Sequence, residues 1–357
     1  MKVGFYFIIL FGFSVFYSCK QEKATDSIPV LNLVGVLEGN KTIALSDISS
    51  EIKTVQLETS DDILINRIQD VILSDKNIIV IHDNQCSVFD LEGNFIRKIS
   101  SRGQGPREYI SINNLSVTGD TLWIFDSNKM LAFYISGEFL FSSATSNRLH
   151  YKMVFDGINI GYRSNRSGSE NTKLLFFDKQ GVPFDSISYL KQYENLSEIV
   201  VVVFPEVIMY SCNGSVRLKE LTNDTLFSIS TERLLTPLYI MDLGKYAPKE
   251  EERYQLYNPQ QNVFEGKKRF NSIIETNTYL IISVMGMEQN RQILYNKETG
   301  LLENIAFRYN DEIRNRLGKE FFNPKFITEN KQYLISYEAH EDIDNDDNPV
   351  LVLVRLK

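Results

Sequence analysis

Three hairpin-like segments recur at a fixed spacing, and this repeat limits the possible folds more than any other feature of the chain. SVFDLEGNFIRKIS (residues 87–100) answers to LAFYISGEFLFS (131–142) and KLLFFDKQGVPFDSIS (173–188), which sets Gly93, Gly137 and Gly181 at successive spacings of 44. Alternating aromatic and β-branched residues make a strand with two distinct faces, and glycine permits positive φ at the turn. The segments just before them agree: NIIVIHDN (77–84) matches TLWIFDS (121–127), with Asp83 and Asp126 separated by 43. A period of about 40–45 residues carrying four strands is the mark of a propeller blade.

Weaker copies follow. One runs through VIMYSCNGSVRLKE (207–220) and DTLFSIS (224–230), another through YLIISVMG (279–286), RQILYNKETG (291–300) and LLENIAF (301–307). The last joins FITENKQYLISYEAH (326–340) to PVLVLVRLK (349–357). Six blades are expected, centred on Gly93, Gly137, Gly181, Gly214, Gly300 and the acidic loop near Asp344, with five or seven as alternatives because the middle of the chain is irregular. The segment Glu51–Glu58 is a suitable partner for Pro349–Lys357, so an N-terminal strand would complete the C-terminal blade and remove the exposed edges. The predicted fold class is all-β: a six-bladed β-propeller with N/C-terminal strand closure and short helical insertions. Two segments break the β rhythm. Pro248–Phe270 opens on proline and acids and ends on basic residues, the charge order that suits a helix, with an interruption near Pro259. Asn310–Glu320 reads as a short helix closed by Gly318.

The N-terminus carries an address. Lys2 precedes an uncharged run from Val3 to Tyr17, shorter than the roughly 20 apolar residues needed to span a bilayer, and a secretory signal fits it better. Ser18-Cys19 then gives way to the polar stretch Lys20–Lys23, where a bacterial lipoprotein signal places its acylated cysteine. Residues 1–18 read as the signal peptide, 19–29 as a lipidated tether and 30–357 as the propeller. An ordinary secretory signal cut elsewhere, or an uncleaved anchor, is the alternative. Lys20-Gln21-Glu22 serves either as a surface-export tag or as a solvated linker. Net charge is −8, and loss of residues 1–18 removes Lys2 and no acid, leaving −9. Such a chain has no broad basic footprint for nucleic acid. Beyond Cys19 only Cys86 and Cys212 remain, without CxxC or Cys/His context, and both read as small buried hydrophobes.

Three features resemble the six-bladed β-propeller lipoproteins of Bacteroides-type bacteria. They are the LSDI…VQLET entry (45–59), the FDLEGNFIRKI hairpin running into RGQGPREY (89–109), and the closing DNPVLVLVRLK (347–357). The similarity covers essentially the mature chain. RGQGPREY is also distantly similar to the inter-blade motif of NHL-type propellers. The resemblance implies a fold and an outer-membrane location, facing the periplasm or the exterior, and transfers no catalytic residue.

The remaining motifs are weighed on their chemistry. A phosphate-binding GxGxxG starting at Gly103 would need glycine at 108, where the chain has Glu108, and no GK[ST] follows. Gly103 and Gly105 are expected to turn the chain between blades, with Glu108 accepting from loop amides. Arg102, Arg107, Glu108 and Tyr109 are the candidate binding residues, the two arginines for an anion if they face a central channel. Asp342, Asp344 and Asp346 offer the oxygen donors that calcium prefers, but Asp347 and Leu353 stand where an EF-hand needs Gly and Glu, so a solvated acidic turn is the default. His82, His150 and His340 form no HExxH, no GxSxG elbow is present, and the single Trp123 cannot supply the Asp-box repeats of a sialidase-like propeller. No catalytic residue or cofactor is assigned. The expected role is a monomeric, non-catalytic binding or scaffold module for an envelope protein, peptide or glycan. The rival is a polysaccharide hydrolase or lyase with acidic residues on channel-facing loops.

Overall fold

A computed structural model describes residues 27–145, 149–196, 200–255, 263–288, 291–328, 330–338 and 347–357. Cys19, His340 and the acidic triplet Asp342, Asp344 and Asp346 lie outside the described residues. Six separate antiparallel sheets form the blades. Blade 1 comprises Ile68–Leu73, Ile78–His82, Gln85–Phe89 and Phe95–Lys98; blade 2 comprises Asn114–Thr118, Thr121–Phe125, Lys129–Tyr134 and Phe139–Ala144. Blade 3 is built from Tyr151–Phe155, Ile158–Tyr162, Thr172–Phe177 and Pro183–Ser188. Blade 4 contains Val207–Cys212, Ser215–Glu220, Thr225–Ile229 and Leu235–Asp242, and blade 5 contains Phe270–Glu275, Tyr279–Val284, Gln292–Asn296 and Leu302–Arg308.

Blade 6 closes the ring. Its first three strands are Phe326–Ile327, Tyr333–Glu338 and Val350–Leu356, and its outer strand is the N-terminal Ser49–Gln56, antiparallel with Glu51 opposite Arg355 and Val55 opposite Leu351. The closure expected from the two chain ends is therefore present. A further N-terminal strap was not foreseen. Val30–Asn32 adds a parallel strand outside blade 4, and Lys41–Ala44 adds one outside blade 5. The outer edges of blades 4, 5 and 6 are thus all covered by residues 30–56, which satisfies backbone groups that an open edge would leave to solvent.

The apolar core is divided in the same way. Six clusters of buried side chains occupy the six junctions between neighbouring blades. Ile79 and Val88 of blade 1 meet Leu122 and Leu131 of blade 2, for example, and Val80 and Phe89 meet Leu351 and Leu353 across the closure. Each sheet is apolar on both faces because each face meets a neighbour.

The 44-residue glycine period has a packing cause. Gly93, Gly137 and Gly181 occupy the turn before each outer strand, at φ of 94°, 92° and 81°. A Cβ at Gly93 would lie 2.1 Å from the carbonyl oxygen of Gln56, and one at Gly181 would lie 2.1 Å from that of Ala144. The Gly93 and Gly181 turns are pressed onto the outer strand of the preceding blade, where only glycine fits, whereas a Cβ at Gly137 would meet Arg97 Cδ at 3.4 Å and positive φ alone favours glycine there. Asp83 and Asp126 are equivalent in structure too: at the end of the second strand, Asp83 accepts from the Asn66 N–H at 2.8 Å and Asp126 from the Ile110 N–H at 2.8 Å, tying down the chain that enters each blade.

Two expectations need adjusting. Gly214 lies in the first turn of its blade, not the third, and the segment from Pro248 forms a five-residue 3₁₀ helix, Glu250–Tyr254, among its described residues. The helix Asp311–Leu317 is as expected, with the Asn310 side chain accepting from the Ile313 N–H and Gly318 at φ 67°. Among the described residues no helix is long and apolar enough to cross a membrane.

Candidate functional site

The six inner strands surround a narrow channel of about 440 Å³. An inner strand has no neighbour on its channel side, so its backbone groups need other partners. Side chains supply several of them. The Tyr151 hydroxyl donates to the Met209 carbonyl (3.0 Å), the Tyr337 hydroxyl to the Ile68 carbonyl (3.3 Å), and Ser116 Oγ accepts from the Val154 N–H (3.3 Å). Asp70 Oδ1 accepts from the Val71 N–H at 2.8 Å. Burial pushes the Asp70 carboxyl up to about 6, against the opposing effect of that hydrogen bond. Much of the polar character of the channel is therefore committed to its own wall.

The end of the channel bearing the first turn of every blade opens differently. Each of these six turns carries an Asp or Asn: Asp75, Asp120, Asp156, Asn213, Asn277 and Asn330, with Asn77 a second on blade 1. Local geometry explains part of the choice, because Asp156-Gly157 and Asn213-Gly214 are hairpin turns with both residues at positive φ, 49° and 72° in one, 48° and 68° in the other. The six residues rim two adjoining hollows of about 640 and 510 Å³, which share Val117 and Asn330. Val117, Val154 and Phe155 give the funnel an apolar wall, and Lys331 reaches across the mouth from blade 6 to the Ser211 carbonyl of blade 4 at 2.7 Å. Carboxylates stand on blades 1 to 3, with the Asn77 carboxamide beside Asp75 on blade 1, and carboxamides stand on blades 4 to 6. This arrangement offers both acceptors and donors around a cavity of ligand size. The sequence reading missed the ring because its members look like ordinary turn residues; only the blade register brings them together.

The RGQGPREY segment is placed elsewhere. Glu108 Oε2 accepts from the Gly105 N–H at 2.8 Å, as expected for a carboxylate that shapes the loop, and a Cβ at Gly103 would lie 2.0 Å from that oxygen. Tyr109 is buried between blades 1 and 2, and burial pushes its phenol up to about 12. Arg107 stacks on Phe139, in the outer strand of blade 2, with its guanidinium carbon 5.3 Å from the ring centre. Arg102 is exposed and bridges to Tyr109 through the backbone. The channel wall is built without these four residues.

On the face opposite the funnel, long connections are pinned by a buried ion cluster that the sequence did not reveal. Arg253, on the 3₁₀ helix, pairs with both oxygens of Glu206 at 3.0 and 2.8 Å, and Arg166 and Ser164 add bonds at 3.3 and 3.0 Å. Burial alone would raise the Glu206 carboxyl, yet these partners and the Val203 N–H hold it below the usual range. His150 Nδ1 accepts from the Ser164 N–H, and burial with the nearby Arg166 charge lowers the ring to about 4, so it is neutral at pH 7. His82 is a packed ring bonded to Ser87 and Asp83, and Cys86 and Cys212 are buried free thiols. No group of metal-ligating side chains is found among the described residues.

Six four-stranded sheets closed around a channel by an N-terminal strand define a six-bladed β-propeller. The chain belongs to the DUF4934 family, a domain of unknown function, whose match spans residues 28–355. Among solved structures it is similar to an exported protein of Bacteroides fragilis, at 17% identity and a TM-score of 0.60, with 89% of this chain and 99% of that chain covered. A member of the DUF4221 family from Bacteroides vulgatus is similar at 9% identity and a TM-score of 0.53, covering 87% and 97% of the two chains. At these identities the likeness shows the fold. No curated protein matches the sequence.

Proposed function

We propose that this protein is an outer-membrane lipoprotein, facing the periplasm or the cell surface, whose propeller binds an envelope protein, peptide or glycan without catalysing a reaction. Residues 1–18 act as the export signal, Cys19 carries the acyl chains, and residues 19–29 tether a monomeric domain. The apolar run ending at Ser18-Cys19 supports the anchor. The observation that carries the binding role is the funnel, where six turns each set at least one Asp or Asn around an open hollow with an apolar wall.

The test is a binding screen of the purified mature chain against immobilised glycan and peptide libraries, followed by titration of the hits. Replacing Asn213 and Asn277 together by Ala is expected to weaken a true ligand by at least about tenfold, the loss of one or two hydrogen bonds. Replacing Arg102 and Arg107 together by Ala is the comparison for the RGQGPREY loop. Retention of full affinity by the funnel variant would reject the funnel, and turnover of a library member would reject the non-catalytic reading in favour of the hydrolase or lyase.

A further inference from the structure

We propose that the sector of the ring formed by blades 3 and 4 rests on the lipid bilayer. Sixteen large apolar side chains are exposed among the described residues, and ten of them fall within residues 28–30, 182–204 and 234. These residues are the start of the strap, the outer strand of blade 3, the connection from blade 3 to blade 4, and the last turn of blade 4. Leu190 is 104% exposed, Phe204 73% and Val30 59%. Arg233 in the blade 4 turn pairs with Asp185 and stacks on Phe184, so the two blades form a continuous rim. Lys191 likewise pairs with Glu251, which neutralises a second carboxylate there.

The occupant follows from where the strap leaves the ring. Val30 lies opposite Ile240 on the outer edge of blade 4, so the chain upstream departs from this sector. Eight residues lie between Cys19 and Ile28. Fully extended, they reach at most about 30 Å, so an acyl chain on Cys19 keeps the bilayer within one domain width of blade 4. Apolar side chains facing a membrane held that close bury themselves at the headgroup boundary. This inference rests on the reading of Cys19 as the acylated residue and adds the orientation: the sector of blades 3 and 4 faces the lipid, and blade 1 lies on the far side of the ring.

The experiment uses full-length protein purified from membranes, with acylation of Cys19 checked by mass spectrometry, and reconstituted into phosphatidylethanolamine and phosphatidylglycerol vesicles with brominated acyl chains. Leu190→Trp reports on the proposed contact. Ile96→Trp, on the outer strand of blade 1, reports on the opposite rim, and Trp123 is common to both proteins. Emission from Leu190→Trp is expected to be quenched several-fold more than that from Ile96→Trp, and Phe204→Trp should follow Leu190→Trp. Equal quenching at all three positions in acylated protein would overturn the proposed surface and leave the anchor standing. An unmodified Cys19 would overturn the anchor and this orientation with it.

Discussion

Glycines at positive φ do not share a cost of substitution. Gly93 and Gly181 combine positive φ with a neighbouring carbonyl oxygen 2.1 Å from where a Cβ would sit, whereas Gly119, at φ 57°, meets nothing within 4 Å. Gly119→Ala should therefore cost only the backbone penalty, about 1–2 kcal/mol, while Gly93→Ala and Gly181→Ala must also displace an outer strand and should cost about 3 kcal/mol or more. Urea melts of the three variants would test this; equal losses would mean that the inter-blade contact is not tight. Asp70 makes a pH-dependent prediction. Its carboxyl rises from 3.8 to about 6, so the folded chain holds the proton more firmly than the unfolded chain. Stability from this group is then full below about pH 4, falls as pH rises towards 6, and stays lowered above it. Asp70→Asn keeps an acceptor for the Val71 N–H and removes the buried charge. It should stabilise the protein at pH 7.5 by on the order of 2 kcal/mol and have little effect at pH 3.5. A stabilisation that did not change with pH would contradict this account.

Elements differ in how much of their placement a linear sequence can show. The outer hairpins of blades 1 and 3 were legible because one glycine meets two demands, the turn and the close approach, and Asp90 and Asp178 bond the turn amides in the same way; in blade 2 the positive φ of Gly137 keeps the period alone. Blade 4 was less legible because Gly214 serves its first turn instead. The strap strands Val30–Asn32 and Lys41–Ala44 were not legible at all, since three or four residues adding to an edge in parallel carry no period of their own. The 3₁₀ helix Glu250–Tyr254 is likewise decided by tertiary contacts: Arg253 is 2% exposed and clamps Glu206, and Tyr254 stacks on Tyr193. Replacing Arg253 by Met leaves the Glu206 carboxylate buried with only part of its compensation. A loss of about 3 kcal/mol is expected, with faster hydrogen exchange confined to the connection between blades 3 and 4. Glu206→Gln, which keeps one oxygen to accept from the Val203 N–H and can donate its amide to Ser164 Oγ, should lose less. If Arg253→Met were neutral, the cluster would not be what fixes this loop.

Ring closure gives the whole molecule its cooperativity. Six junctions each hold an apolar cluster, so no blade has a free face, and blade 6 takes its fourth strand from the N-terminal part of the chain. Opening that sheet frees the outer strand of blade 6 and exposes the cluster of Val55, Leu57, Leu351 and Leu353 against blade 1. A covalent link at this seam should therefore raise the stability of the entire ring. Glu51 and Arg355 face each other in the closing pair, and both are exposed, so converting them to cysteine sacrifices no core packing. Directly opposed residues of antiparallel strands lie within the span of a disulfide. Cys86 and Cys212 are buried and poorly placed to compete for the bond. The link would close a loop of nearly the whole chain, for which about 2–4 kcal/mol is typical, equivalent to roughly 5–10 °C in Tm for a domain of this size. Calorimetry of Glu51→Cys/Arg355→Cys should show one transition in the oxidised protein, displaced upward from that of the reduced protein. An unchanged Tm, or an early transition that the bond leaves untouched, would place the weakest junction elsewhere in the ring.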